Sequence, residues 1–192
     1  MAQTSMSVQG KRSGASPVRF GTILFLASEL LFFGGLFAAY FALRAQTSPW
    51  PPEGVELDVR LSAVATALLV ISSFTFHAGV SAAERGRLDR FRPWLWATIA
   101  LGTGFALIQL YDYLHLNFAV SSNAYGTMYW AMTGMHGLHV VAGLLLMVVV
   151  AMRMSWGAYR SGNVDGLHAA AYYWHFVDVV WVALFVTLFL LQ

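Results

Sequence analysis

The chain alternates long apolar runs with short polar breaks. After Arg19 come five runs, at about 20–43, 61–83, 94–116, 127–152 and 170–191. Each reaches the roughly 20 residues with which an α-helix crosses a bilayer core. Polarity does not alternate with period two inside them, and lipid leaves backbone amides no partner outside a helix or a closed barrel. The pattern therefore predicts an all-α polytopic membrane protein, a bundle of five transmembrane helices. Residues 1–19 are polar, contain Ser and Gly, and lack the apolar segment of a secretory signal. They read as a disordered cytoplasmic tail ahead of a transmembrane domain over 20–192. The length of the first run and its internal Glu29 favour a retained span.

Composition agrees with lipid as the solvent. Of 192 residues, 58% are hydrophobic, 15% aromatic and only 10% charged, and mean hydropathy is +0.63. That leaves too little polar surface to coat a soluble globule. The net charge of +2 does not point to nucleic acid, because the basic residues sit in the breaks rather than along one helical face. Cysteine is absent, which removes disulfides, iron–sulfur clusters, thiolate zinc sites and cysteine-ligated copper. Only histidine and carboxylates remain as metal ligands.

Lys and Arg set the orientation, since cytoplasmic loops retain positive charge. Lys11, Arg12, Arg19, Arg85, Arg87, Arg90, Arg92, Arg153 and Arg160 fall on one side; Arg44 and Arg60 fall on the other, with Glu53, Glu56 and Asp58. The N-terminus is therefore expected in the cytoplasm and the C-terminus outside. Small residues four apart, Gly34/Ala38, Gly35/Ala39, Ala63/Ala67 and Gly102/Ala106, are candidate helix contacts, and chance in Gly- and Ala-rich segments explains them equally well. Pro49, Pro51 and Pro52 exclude helix from the first outer loop. Trp50, Trp94, Trp130 and Tyr129 lie near span ends, where amphipathic rings anchor.

Ionisable residues within a span are costly and mark function or a specific partner. Glu29 falls about 14 Å from the cytoplasmic end of the first span, and His175 and Asp178 about 8 and 12 Å into the last. His136 and His139 are about 14 and 18 Å from the outer end of the fourth, their three-residue spacing placing both on one face. His77 lies near the cytoplasmic end of the second span, and Asp112 and His115 near the outer end of the third, within reach of water. Glu29, His175 and Asp178 could relay protons, or the polar groups could hydrogen-bond between helices and fix their packing; ligand binding is a third reading. A haem held by His pairs is disfavoured. His136 and His139 on one helix cannot clamp both faces of a porphyrin, and His77 and His175 match in depth only approximately.

Two blocks carry a family resemblance. Tyr173-Trp174-His175-Phe176-Val177-Asp178-Val179-Val180-Trp181 resembles the last transmembrane helix of cytochrome c oxidase subunit III, and Thr133-Gly134-Met135-His136-Gly137-Leu138-His139-Val140 is similar to the same family's Thr-Gly-Phe-His-Gly-Leu-His-Val. Ser28-Glu29, Phe32-Phe33-Gly34-Gly35, Trp50-Pro51-Pro52, Ser72-Ser73, Gln109 and Tyr125-Gly126 extend the match in order along residues 20–192. Three departures stand out. The chain begins at what would be the third span of seven-span members, as shorter bacterial versions do. It has Tyr111-Asp112-Tyr113 where many members carry Glu-Tyr, and His168 where many have Glu.

The resemblance implies an accessory, non-redox subunit of a proton-pumping terminal oxidase in the bacterial plasma membrane. Its partners would be core subunits I and II, membrane lipids and, in some settings, a respiratory supercomplex. Haem and copper would reside in the partner subunits, with none held by this chain, and phospholipid would be bound. Glu29, His136, His139, His175 and Asp178 would be intramembrane polar positions serving proton uptake, lipid contact or packing, with no catalytic residue in the chain. Alternatives are a subunit of a quinol oxidase, a protein associated with nitric oxide reductase or, from another class, a stand-alone membrane cytochrome or transporter. Inverted repeats and broken helices, the mark of many transporters, are not evident.

The charge asymmetry gives a direct test in a chain without native cysteine. Single cysteines at Ser13, Arg87 and Ser161 should react with impermeant maleimide only from the cytoplasmic side, and cysteines at Glu53 or Ser122 only from outside. Labelling of residue 87 from outside would exclude this topology.

Overall fold

A computed structural model describes residues 16–159 and 164–191. It contains five long helices: α1 (Pro17–Gln46), α2 (Val59–Glu84), α3 (Leu88–His115), α4 (Ala124–Ser155) and α5 (Asp165–Phe185), the last continued by a π turn at Val186–Leu190. All five are long and apolar enough to cross a membrane, and no strand occurs among the described residues. The helices exceed most of the expected spans at both ends, because an apolar run marks only the lipid-immersed part of a helix that continues through the interface. The expected tail is corrected at its end: Pro17, Val18 and Arg19 belong to α1. Proline at the first helical position has the φ a helix requires, and Arg19 Nε donates to Asp165 Oδ1 at 2.9 Å. Residues 1–15, with Lys11 and Arg12, and Arg160 lie outside the described residues.

Helix ends follow local chemistry. Asp58 caps α2 by accepting from Leu61 N at 2.9 Å, and Asn123 caps α4 by accepting from Gly126 N at 2.7 Å. The α2–α3 turn is closed by Gly86 at φ +74°, with Gly86 N donating to Ala83 O and Arg87 N to Ala82 O. This tight connection makes α2 and α3 an antiparallel hairpin with the most extensive contact in the bundle. α5 packs against α1, α2 and α4, and α4 also against α1 and α3.

Trp174 sits where these helices converge. Its indole is fully buried and donates from Nε1 to Ser72 Oγ at 2.9 Å. A β-carbon built on Gly102 of α3 would lie 2.8 Å from the ring, and one built on Gly143 of α4 would lie 2.7 Å from it. The Gly102 contact expected from small-residue spacing is thus an approach to an indole rather than to another backbone. Gly34 and Gly35, by contrast, meet nothing within 4 Å.

At the end of the bundle where α1 stops and the π turn lies, aromatic rings fasten the helices. Trp50 Nε1 donates to Tyr40 OH at 3.0 Å, and Tyr40 and Tyr125 donate to the carbonyls of Thr187 and Leu188 in the π turn, each at 3.4 Å. Tyr129, expected at the interface, is instead fully buried.

Gly143→Val should lower stability in detergent by about 1–3 kcal/mol, because the enclosed Trp174 has no room to retreat. Gly134→Ala, where space is open, should be neutral or stabilising. Thermal unfolding followed by circular dichroism separates the two.

Candidate functional site

The intramembrane polar residues fall into separate seams between helices. In the first, α1 meets α4. His139 Nε2 and Glu29 Oε2 are 3.0 Å apart, and His139 Nδ1 lies 2.7 Å from Met135 O. A carbonyl can only accept, so Nδ1 carries a proton and donates to it. The contact between Nε2 and Oε2 then needs one further proton, resident on either atom. In both arrangements the pair is net neutral, which permits two ionisable groups at this depth. The Phe33 ring edge packs on the imidazole at 5.1 Å between centroids, and Tyr173 OH donates to His139 O at 3.1 Å.

The second seam joins α2 and α5. Ser73 Oγ hydrogen-bonds His175 Nδ1, whose nitrogen lies 4.0 Å from Asp178 Oδ2. His77 faces His175 with ring centroids 6.4 Å apart. Nearer the helix ends, His168 Nε2 sits 3.2 Å from Glu84 Oε1. Two imidazoles on α5 thus face an imidazole and a carboxylate on α2 in a ladder with seven-residue rungs. Asp178 is only 5% exposed, and neither of its carboxyl oxygens has a hydrogen-bond partner.

The structure separates residues that the sequence grouped. Glu29 pairs with His139 and does not join His175 and Asp178, so the three-residue relay is divided between two seams. His136 and His139 are one turn apart but diverge: His136 points into the bundle, fully buried, stacked on Trp181 at 5.0 Å and met by the edge of Phe105 at 5.9 Å. Asp112 is largely buried at the edge of a polar hollow that Glu56, Asp58 and His115 also line. It is 7% exposed and accepts from Tyr129 OH at 3.0 Å. Sequence reasoning missed the Glu84–His168 contact, although the shared seven-residue spacing of His77/Glu84 and His168/His175 was available as a signal. Gln109, named only as a family-match position, is buried, and its Nε2 has no partner. Among the described residues, no three His, Asp or Glu side chains gather in a way that could hold a metal ion.

These contacts define a polytopic helical membrane protein whose buried acids and imidazoles are directed at neighbouring helices. The chain belongs to the cytochrome c oxidase subunit III family, whose model matches residues 3–192. A probable cytochrome c oxidase subunit 3 of Nocardia farcinica is 44% identical over 179 residues, covering 91% of this chain and 88% of the relative. The cytochrome c oxidase subunit 3 of Thermostichus vulcanus is 42% identical over 172 residues (89% and 86%), and that of Corynebacterium diphtheriae 42% over 181 residues (91% and 88%). The quinol-oxidase and nitric-oxide-reductase alternatives are not favoured.

The Glu29–His139 geometry sets an expectation. Glu29→Gln, which retains a donor and an acceptor, should leave stability within about 0.5 kcal/mol of wild type. Glu29→Leu strands the imidazole and should cost about 1–3 kcal/mol. A Glu29→Leu/His139→Leu double variant should recover part of that loss, as thermal unfolding in detergent would show.

Proposed function

We propose that this chain is the accessory subunit of a proton-pumping terminal cytochrome c oxidase in a bacterial plasma membrane, packing beside the core subunits and contributing no redox centre of its own. The observation that carries the reading is the family match over nearly the whole chain, together with bacterial relatives named as cytochrome c oxidase subunit 3. The surroundings of three of its histidines support it, two being hydrogen-bonded within the chain and the third, His136, enclosed by aromatic rings with neither ring nitrogen bonded. His139 is occupied by Glu29 and Met135 O, His175 by Ser73, and His136 is walled in by Trp181 and Phe105. Such imidazoles serve helix packing and proton-labile contacts rather than a porphyrin or copper shell, so haem and copper are assigned to subunits I and II.

In this reading the chain lies with its N-terminus in the cytoplasm. The Glu84–His168 end of the α2–α5 seam then faces the side from which protons are taken up, and Glu29–His139 is an internal fastening. Phospholipid fills a membrane-exposed hollow between helices on the α1 side of the bundle. Residues Gly21, Phe25, Leu146 and Tyr173 line it, between α1, α4 and α5. The contribution to catalysis is indirect, through stability of the core subunits and supply of protons to them.

Two measurements test this reading. Tagged chain extracted from native membranes in mild detergent should bring down the haem- and copper-bearing subunits, with oxygen reduction supported by a cytochrome c donor. Substituting His136 or His175 by Gln should leave haem and copper per assembled complex unchanged. Loss of a haem absorption signal on His136→Gln, with assembly intact, would reverse the assignment.

A further inference from the structure

A groove of about 540 Å³ opens sideways from the bundle along the α2–α5 seam. Val70, Phe74, Val179 and Val182 form its apolar walls, and Ser73, His77, His175 and Asp178 its polar floor. Phe74 is 71% exposed and Val179 68%, so no other part of the described chain covers it. Asp178 behaves differently from every other intramembrane acid described here. Glu29 has His139 and Asp112 has Tyr129, whereas neither Asp178 oxygen has a hydrogen-bond partner, the nearest imidazole nitrogen, His175 Nδ1, standing 4.0 Å from Oδ2. Ser73 lies beside Asp178, but its single hydroxyl proton is shared with His175. A carboxyl group offers up to about four acceptor positions, so at least one oxygen stays unserved wherever that proton goes.

We infer that this groove is a docking surface for a transmembrane helix of another oxidase subunit, which presents a hydrogen-bond donor to the Asp178 carboxyl. Three features select this occupant. Asp178 lies about 12 Å inside the apolar run of α5 at 1.5 Å per residue, whereas the headgroup layer of a bilayer, about 5–8 Å thick, lies outside that run. A lipid headgroup does not reach it, and an acyl chain carries no donor. The valine and phenylalanine walls suit a packed helix, and a polar side chain crossing between helices is the usual means of satisfying a buried group in lipid. The donor can be a hydroxyl, an amide or a cationic side chain. His175 and His77, beside it in the floor, can accept or donate according to their tautomer.

The inference rests on the chain being an oxidase subunit, and the test keeps the two apart. Single cysteines at Val179, Phe74 and, on α4, Leu145 are labelled with benzophenone maleimide in the assembled complex and irradiated in native membranes. Residues 179 and 74 should cross-link to one transmembrane segment of another oxidase subunit, identified by peptide mass spectrometry, with a donor side chain at matching depth. In the Asp178→Leu background that adduct should fall about tenfold, the loss expected for an interaction worth about 1.4 kcal/mol; Asp178→Asn, which still hydrogen-bonds, should retain most of it. Val182→Trp fills the groove with Asp178 intact and should lower core-subunit recovery similarly, which covers the case in which Asp178→Leu does not fold. Adducts with phospholipid alone at 179 and 74, or core-subunit adducts from 145 but not from the groove, would overturn the docking surface while leaving the oxidase assignment in place. Failure of the wild-type chain to recover any haem-bearing subunit would overturn the assignment itself.

Discussion

One buried indole holds the centre of this molecule together. Trp174 projects from α5, touches α3 at Gly102 and α4 at Gly143, and spends its only N–H on Ser72 of α2. A side chain that contacts three neighbouring helices fixes their separation and rotation at once. Lipid supplies little hydrophobic drive for helix association, so close packing and interhelical hydrogen bonds carry a larger share of specificity. α5 is accordingly the most buried of the five, with half of its most apolar stretch enclosed, against 6% for α1.

Around that centre, polar groups are arranged by the rule that a charge or an unmet donor in hydrocarbon is expensive. Three outcomes appear. Glu29 and His139 share protons within a neutral pair, Asp112 borrows a phenol from Tyr129, and His136 is enclosed by aromatic faces. His136 is left with neither ring nitrogen hydrogen-bonded inside the bundle, whereas the unserved Asp178 carboxyl stands beside an opening. Structural pairs and exposed polar floors thus coexist within a few turns of the same helices.

The large-scale architecture was readable in the sequence because lipid imposes a length and a composition on each span, and both are local properties. Five apolar runs became five helices, with ends displaced by a few residues because capping and interfacial side chains, not hydropathy, decide where a helix stops. The site residues were readable as a set through the expense of placing them in a membrane. Their pairing was not. Glu29 and His139 are 110 positions apart, and nothing in either local pattern says which imidazole meets the acid. His136 and His139 show why spacing misleads: at 3.6 residues per turn, a three-residue step still rotates a side chain by about 60°. That was enough to send one toward Trp181 and the other toward α1. Asp112 gains a partner that depth along its own helix cannot show, the Tyr129 phenol of α4.

The attachment of α1 bears on how the protein is made. Its polar contacts run through Arg19 to Asp165, Glu29 to His139 and Tyr40 to Thr187, spaced ten or eleven residues apart along one stripe of the helix. All three partners lie near the other end of the chain. At about 5–20 residues per second of synthesis, Glu29 precedes its imidazole by roughly 5–20 seconds and stands in the translocation machinery or the bilayer without it. The first helix to be inserted thus waits for α4, α5 and the π turn before these contacts are complete. The carboxyl group of Glu29 is accommodated in the interim by protonation, by water, or by whatever holds the nascent helix until α4 and α5 arrive.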